Sequence, residues 1–101
     1  MKIKLFCASG MSTSLLVNKM REAAKLNGID AEISAYSADV FINEVEDCDV
    51  ILLGPQITYM LNDLKKIADE KGKAIDVVPI IDYGMMNGAN VLNHAIKIYS
   101  K

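Results

Sequence analysis

The run Asp49-Val-Ile-Leu-Leu, closed by Gly54-Pro55, constrains this chain more than any other segment. Four consecutive apolar residues leave no polar face, the pattern of a strand covered on both sides in the middle of a parallel sheet. Ile3 to Cys7 is a second short β-prone run, and Ala31 to Tyr36 a third, with Ile33 and Ala35 on one side. Ile75 to Ile81 holds the last strand, and Pro79 marks its end.

Helical patterns separate these runs. The spacing predicts a helix over Thr13–Asn27, capped by the hydroxyls of Ser12, Thr13 and Ser14. Leu15, Leu16, Met20, Ala23, Ala24 and Leu26 lie on or near one face, and Gly28 closes it. Ala38–Val45 reads as a short helix or turn. After Pro55, the residues Ile57, Met60, Leu61, Leu64, Ile67 and Ala68 recur at spacings of three and four, predicting one helix that Gly72 ends. Tyr83-Gly84 is expected to turn. A last helix over Asn87–Tyr99 points Val91, Leu92, Ala95, Ile96 and Tyr99 inward.

Strands alternating with helices predict an α/β fold: a single domain over residues 1–101, with a four-stranded parallel sheet in order 2-1-3-4 and helices on both faces. With 51% apolar residues the chain can bury a core without disulfide or metal staples. Ligands of such sheets bind beyond the carboxyl ends of the strands, at the switch point between strands 1 and 3. The loops there are Cys7–Ser14 and Gly54–Tyr59, with Ile81–Asn87 beside them.

Composition narrows the function classes. A net charge of −2, with basic residues interleaved among acids, argues against a nucleic-acid binder. No apolar run approaches the ~20 residues of a membrane span. Met-Lys-Ile-Lys-Leu-Phe-Cys is too short in its apolar part for a signal peptide, so a soluble cytoplasmic domain is expected. One histidine and two distant cysteines make no zinc pattern, and neither metal nor cofactor is expected.

The first loop carries the chemistry. In Cys7-Ala8-Ser9-Gly10-Met11-Ser12-Thr13-Ser14 a strand ends, small residues turn, and a helix begins. Backbone N–H groups at a helix start carry the positive end of the dipole and suit a tetrahedral oxyanion. Gly10 widens the backbone conformations open to the loop. Ser9, Ser12, Thr13 and Ser14 add hydroxyl donors. The same field favours a thiolate at the loop's mouth, which makes Cys7 a nucleophile. A cysteine at a strand end can also be a small buried hydrophobe. The hydroxyl-rich loop after Cys7 tips the reading toward an anion cradle. Cys48 precedes the third strand, at the opposite end of the sheet, and reads as structural.

Cysteine phosphatases share this architecture but need an arginine at the end of the loop, C-x5-R, to clamp phosphate. Ser14 stands there instead. Arg21, the only arginine, lies two turns down the helix and reads as a solvated charge. Asp82 is a conceivable general acid, but a turn-forming role suits it better. His94 aligns with Asn87, Asn90, Lys97 and Lys101 on a polar helix face and is expected to be exposed and inert. A histidine in the reaction would then belong to a partner.

The run Leu5–Val17 (Leu-Phe-Cys-Ala-Ser-Gly-Met-Ser-Thr-Ser-Leu-Leu-Val) resembles the phosphocysteine loop of the enzyme IIB components of the bacterial phosphoenolpyruvate-dependent sugar phosphotransferase system, in the lactose/cellobiose/diacetylchitobiose family. Asp49–Leu61 resembles the same family, and Asp82-Tyr83-Gly84 sits where the family has a similar turn. The likeness is nearest to the cellobiose/diacetylchitobiose branch and covers essentially the whole chain. It implies an architecture like that of low-molecular-weight tyrosine phosphatases. It also implies that Cys7 accepts a phosphoryl group from phosphohistidine of enzyme IIA. Ala8, Ser9, Gly10, Met11, Ser12, Thr13 and Ser14 would hold that group. Cys7 would pass it to a sugar on membrane enzyme IIC, cellobiose or another β-linked disaccharide. Gln56, Thr58 and Tyr59 either shape the site and docking surface or cap and pack their helix. Tyr83 is placed to cover the loop. Met11 either serves docking or packs on the first helix. The competing readings are a cysteine-dependent phosphatase or arsenate-reductase-like enzyme, and a non-enzymatic anion-binding module.

Overall fold

Alternation along β1 (Lys2–Cys7) sends Ile3 and Leu5 to one face of the sheet and Phe6 to the other. In the computed structural model, residues 1–8 and 11–100 are described, Met11 and Ser12 by backbone alone. β1 pairs in parallel with β2 (Glu32–Ser37) and β3 (Val50–Leu53), and β3 with β4 (Ala74–Val77), giving the expected order β2-β1-β3-β4.

Helices cover both faces. On one, α1 (Met11–Leu26) and α5 (Gly88–Tyr99) pack Leu16, Val17, Met20, Val91 and Leu92 against Ile3, Leu5 and Leu52. The two helices approach so closely that a Cβ on Gly88 would lie 2.3 Å from the Lys19 carbonyl carbon. On the other face, Phe6, Ile51 and Leu53 meet Phe41 of α2 (Phe41–Glu44), Ile57, and Leu64 and Ala68 of α3 (Leu61–Glu70). β3, wedged between the two layers, is buried along its whole length, as its unbroken apolar sequence requires.

Several local expectations change. α1 begins at Met11, so Thr13 and Ser14 lie inside its first turn rather than capping it. Its buried stripe is Thr13, Leu16, Val17, Met20, Ala23 and Ala24, which leaves Leu15 and Leu26 exposed. The segment after Gly54 is not one helix. Pro55–Met60 is a 3-10 segment broken at Ile57 (φ −115°, ψ 26°), and α3 starts only at Leu61. Tight closures hold it: Ile57 N–H donates to Gly54 O at 3.0 Å, and Thr58 Oγ1 to Pro55 O at 2.7 Å. They turn the Ile57 side chain into the core.

β4 is shorter than expected. Its last rung is Val78 N–H to Leu53 O, 2.8 Å. Pro79 has no N–H to extend the ladder and instead leads into α4 (Ile80–Gly84). Ile80 and Ile81 are therefore exposed helical residues, not strand residues. Tyr83 and Gly84 belong to α4; the turn follows at Met85-Met86, where Met86 adopts φ 51°. Asn87 then caps α5, its Oδ1 accepting from Asn90 N–H at 3.1 Å, and Tyr99 is half-exposed rather than inward.

Arg21 is not a merely solvated charge. Its Nε donates to the carbonyl of Ile33 at 2.9 Å, and Nη2 donates to the same oxygen. That carbonyl faces the open edge of β2. At the other edge, Asp76 Oδ1 accepts from Val77 N–H at 2.8 Å, and Asp76 Oδ2 lies 2.9 Å from His94 Nε2. His94 thus ties α5 to β4 and is half-buried rather than free on a polar face. Both edge strands have a backbone group satisfied by a side chain, which blunts edge-to-edge pairing.

Candidate active site

Cys7 ends β1, and α1 starts four residues later. The first N–H groups of a helix have no partner within it. α1 runs for 16 residues with no acidic side chain in its first turn, so nothing there opposes an anion. Thr13, the third residue of α1, is wholly buried and places Oγ1 3.2 Å from Cys7 Sγ. Cys7 itself is 2% exposed. Threonine at this position faces inward because it begins the buried stripe of α1.

The floor of the site comes from β3. Gly54 N–H donates to Phe6 O at 2.8 Å, extending the β1–β3 ladder to the level of Cys7. A Cβ on Gly54 would lie 3.1 Å from Cys7 Cβ and 2.7 Å from Gln56 Oε1. Gly54 is therefore small because Cys7 packs against it. This neighbour is missed by sequence reasoning, which sees only a strand breaker; the pairing of β1 with β3 reveals it. Ser37 is likewise missed. It stands opposite Cys7 in the β1–β2 register, donates to the carbonyl of Ala8 at 3.4 Å, and also bonds Asp39.

The other expected residues distribute as follows. Ala8 is exposed beside Cys7, and Ser14 is exposed on α1. Ser9 and Gly10, and the side chains of Met11 and Ser12, lie outside the described residues. Gln56 reaches over Gly54 beside Cys7, whereas Thr58 closes its own turn and Tyr59 is largely exposed. Tyr83 is buried in the core cluster that includes Leu16 and Val91. Asp82 accepts from Asn90 Nδ2 at 3.1 Å and its carbonyl from Asn87 N–H at 2.9 Å, which joins α4 to α5.

Cys48 lies at the opposite end of the sheet, buried, its Sγ donating to Val45 O at 3.1 Å. Burial pushes its thiol pKa up, which keeps it protonated and unreactive at neutral pH. No disulfide joins the two cysteines. Among the described residues no cluster of His, Cys, Asp or Glu could hold a metal ion, and no helix is long and apolar enough to cross a membrane. An open groove of about 990 Å³ runs beside β4, lined by Lys65, Asp69, Lys73, Asp76 and Tyr99 among others. It lies toward the amino ends of the strands, away from Cys7.

The model of the family described as "PTS system, Lactose/Cellobiose specific IIB subunit" matches residues 2–94. The chain belongs to this family. It is a phosphotransferase component of the sugar phosphotransferase system. The IIB chain is 47% identical to a cellobiose-specific EIIB component of Lactococcus lactis subsp. lactis, over 89% of its own length and 88% of that protein. A galactose-specific EIIB component of Lactococcus lactis subsp. cremoris is also 47% identical, with the same coverage of 89% and 88%. An oligo-beta-mannoside-specific EIIB component of Bacillus subtilis is 39% identical over 96% of this chain and 94% of that one. The solution structure of a cellobiose-specific IIB component from Borrelia burgdorferi, 40% identical, superposes with a TM-score of 0.82 over 99% of this chain and 92% of that chain.

Proposed function

We propose that the chain is a phosphocysteine carrier, a single IIB domain over residues 1–101 acting in the cytoplasm. Cys7 Sγ attacks the phosphorus of a phosphohistidine on enzyme IIA. The S–P bond forms as the N–P bond breaks, and the leaving imidazole takes up a proton. A hydroxyl of the sugar held by membrane enzyme IIC then attacks the same phosphorus. The S–P bond breaks, the hydroxyl proton is lost, and Cys7 is regenerated. In this reading residues 8–14 would hold the phosphoryl group, by backbone N–H groups and by the hydroxyls that the sequence supplies at Ser9, Ser12, Thr13 and Ser14. The transferred charge is stabilised in place rather than by a metal or cofactor of this chain.

One observation carries the reading: Cys7 Sγ sits 3.2 Å from the buried Thr13 hydroxyl in the first turn of α1. A cysteine buried for packing alone would not require a hydroxyl held against its sulfur at a helix N-terminus. The phosphatase alternative is not supported, because the only arginine is spent on the carbonyl of Ile33. For the sugar we propose cellobiose or another β-linked disaccharide. The relatives named for cellobiose and oligo-beta-mannosides support a β-linked sugar, while the equally similar one named for galactose carries a monosaccharide's name, so in this reading the final choice is made by IIC.

The test is intact mass after incubation with the general phosphotransferase proteins, a IIA of the lactose/cellobiose class and phosphoenolpyruvate. The expected result is one phosphate adduct, absent from Cys7→Ser. Absence of any adduct with several such IIA proteins overturns the reading.

A further inference from the structure

Ser37 stands at the N-cap of the 3-10 turn Ala38–Val40, with extended backbone (φ −74°, ψ 149°), yet its side chain makes no capping bond. Serine is favoured at helix starts because its oxygen accepts from the free N–H groups there. Here the hydroxyl is directed elsewhere. It donates to the carbonyl of Ala8 at 3.4 Å, and it bonds the carboxylate of Asp39. Ser37 is also the last position of the β1–β2 register, level with Cys7. The residue next to the nucleophile is thus tied to the neighbouring strand by a side chain that gives up its local role.

The Ala8 carbonyl is the first beyond Cys7. An anion cradle faces N–H groups toward the anion, and a carbonyl oxygen turned the same way opposes it. Cys7 Sγ meets Thr13 of α1, whereas Ala8 O is turned to the end of β2, where Ser37 holds it. One hydroxyl carries one hydrogen. Ala8 O and the Asp39 carboxylate are both acceptors, and a carboxylate is the stronger. At 3.4 Å the contact with Ala8 is longer than the about 2.5–3.0 Å of an O–H···O bond, as a shared hydrogen would leave it.

We propose that Ser37 is a positioning residue for phosphoryl transfer at Cys7: its hydroxyl holds the Ala8 carbonyl off the phosphoryl group, and Asp39 draws on the same hydrogen and weakens that hold. The inference rests on the phosphocarrier reading. Ser37 acts through Ala8 and touches neither donor nor sugar. The phosphorylated state gains most from the hold, because the phosphoryl oxygens are what an inward carbonyl would repel.

The experiment mixes phosphorylated IIA of the lactose/cellobiose class with this chain. Intact mass reads the rate and the final share of phosphate on Cys7. The variants are Ser37→Ala, Ser37→Thr, Asp39→Ala and the double variant Ser37→Ala/Asp39→Ala, and thermal unfolding checks that each is folded. Ser37→Ala is expected to shift the exchange equilibrium toward IIA by about two- to fivefold, the lower part of the range for a neutral hydrogen bond because the hydrogen is shared. A loss of fold stability alone would not move that equilibrium among folded molecules. Ser37→Thr keeps the hydroxyl and should stay near wild type. Asp39→Ala is expected to shift the equilibrium the other way by about twofold, and to have no effect in the Ser37→Ala background. A folded Ser37→Ala chain with unchanged rate and equilibrium overturns the proposal, as does a folded Ser37→Thr chain that matches it in loss. An equal gain from Asp39→Ala with and without Ser37 overturns the competition for the hydrogen and assigns the gain to removal of a charge. A wild type that takes no phosphate overturns the carrier reading and the positioning role with it.

Discussion

Cys7 Sγ and Thr13 Oγ1 lie 3.2 Å apart, both buried, one at the end of a strand and the other in the first turn of the helix that follows. They are six positions apart in sequence, and the start of α1 beside the end of β1 brings them together. The contact sets a hydroxyl beside the sulfur. Thr13→Ala is therefore expected to slow phosphoryl acceptance by Cys7 roughly 10- to 100-fold, the range for losing a hydrogen bond of ~1.5–3 kcal/mol to a charged group. Thr13→Ser keeps the hydroxyl and should stay near the wild-type rate. Single-turnover mass spectrometry distinguishes them, and equal rates for Ala and wild type would remove Thr13 from the site.

Glycine at 54 and at 88 answers to close approach rather than to backbone conformation. Gly88→Ala drives a Cβ to 2.3 Å from the backbone of Lys19, which can yield only by moving α1 away from α5. Gly54→Ala meets the flexible end of Gln56 and the Cβ of Cys7 at 3.1 Å. Overpacking costs about 1–3 kcal/mol, so Gly54→Ala should lower Tm by several degrees and slow the Cys7 reaction. Gly88→Ala should lower Tm further. A calorimetric scan that orders them the other way contradicts the packing argument.

Cys48 gives a pH dependence. Its thiol pKa is raised by burial, so the folded state holds the proton more tightly than the unfolded chain, whose thiols titrate near ~8.5. The contribution to stability is fully present below that value. It is lost as pH rises through the higher folded pKa. Wild type should lose stability between pH 8 and 10, relative to neutral pH, more steeply than Cys48→Ala, as read from urea midpoints. Parallel curves would refute this.

Arg21 closes the open edge of β2. Arg21→Ala exposes the Ile33 carbonyl and should cost ~1 kcal/mol, with increased self-association at high concentration. Arg21→Lys loses the paired donation and should fall between. Sedimentation velocity and Tm measure both effects; a monodisperse, equally stable Arg21→Ala chain would show that the edge is protected by other means.

The layering of this fold is legible in one dimension. Val50–Leu53 has no polar side and must be covered twice, which makes a central parallel strand and, with the alternating helices, the order 2-1-3-4. Cys7 followed by small hydroxyl-bearing residues marks the candidate site for the same reason: strand end and helix start are adjacent in sequence. Contacts between distant segments are not legible in this way. Gly54 touches Cys7 only because β3 pairs with β1, and Arg21 finds Ile33 only because α1 packs beside β2. His94 leaves the polar face because Asp76 lies within reach on β4. Pro79 shows the boundary between the two kinds of information. Its sequence signal ends a strand correctly, but the missing N–H places that end earlier, after the last rung to Leu53, and frees Ile80 and Ile81 to form an exposed helix. Local periodicity and turn chemistry act through neighbours and can be read residue by residue. Register, close approach and the partners of long side chains depend on which surfaces meet, and only the packed structure decides that.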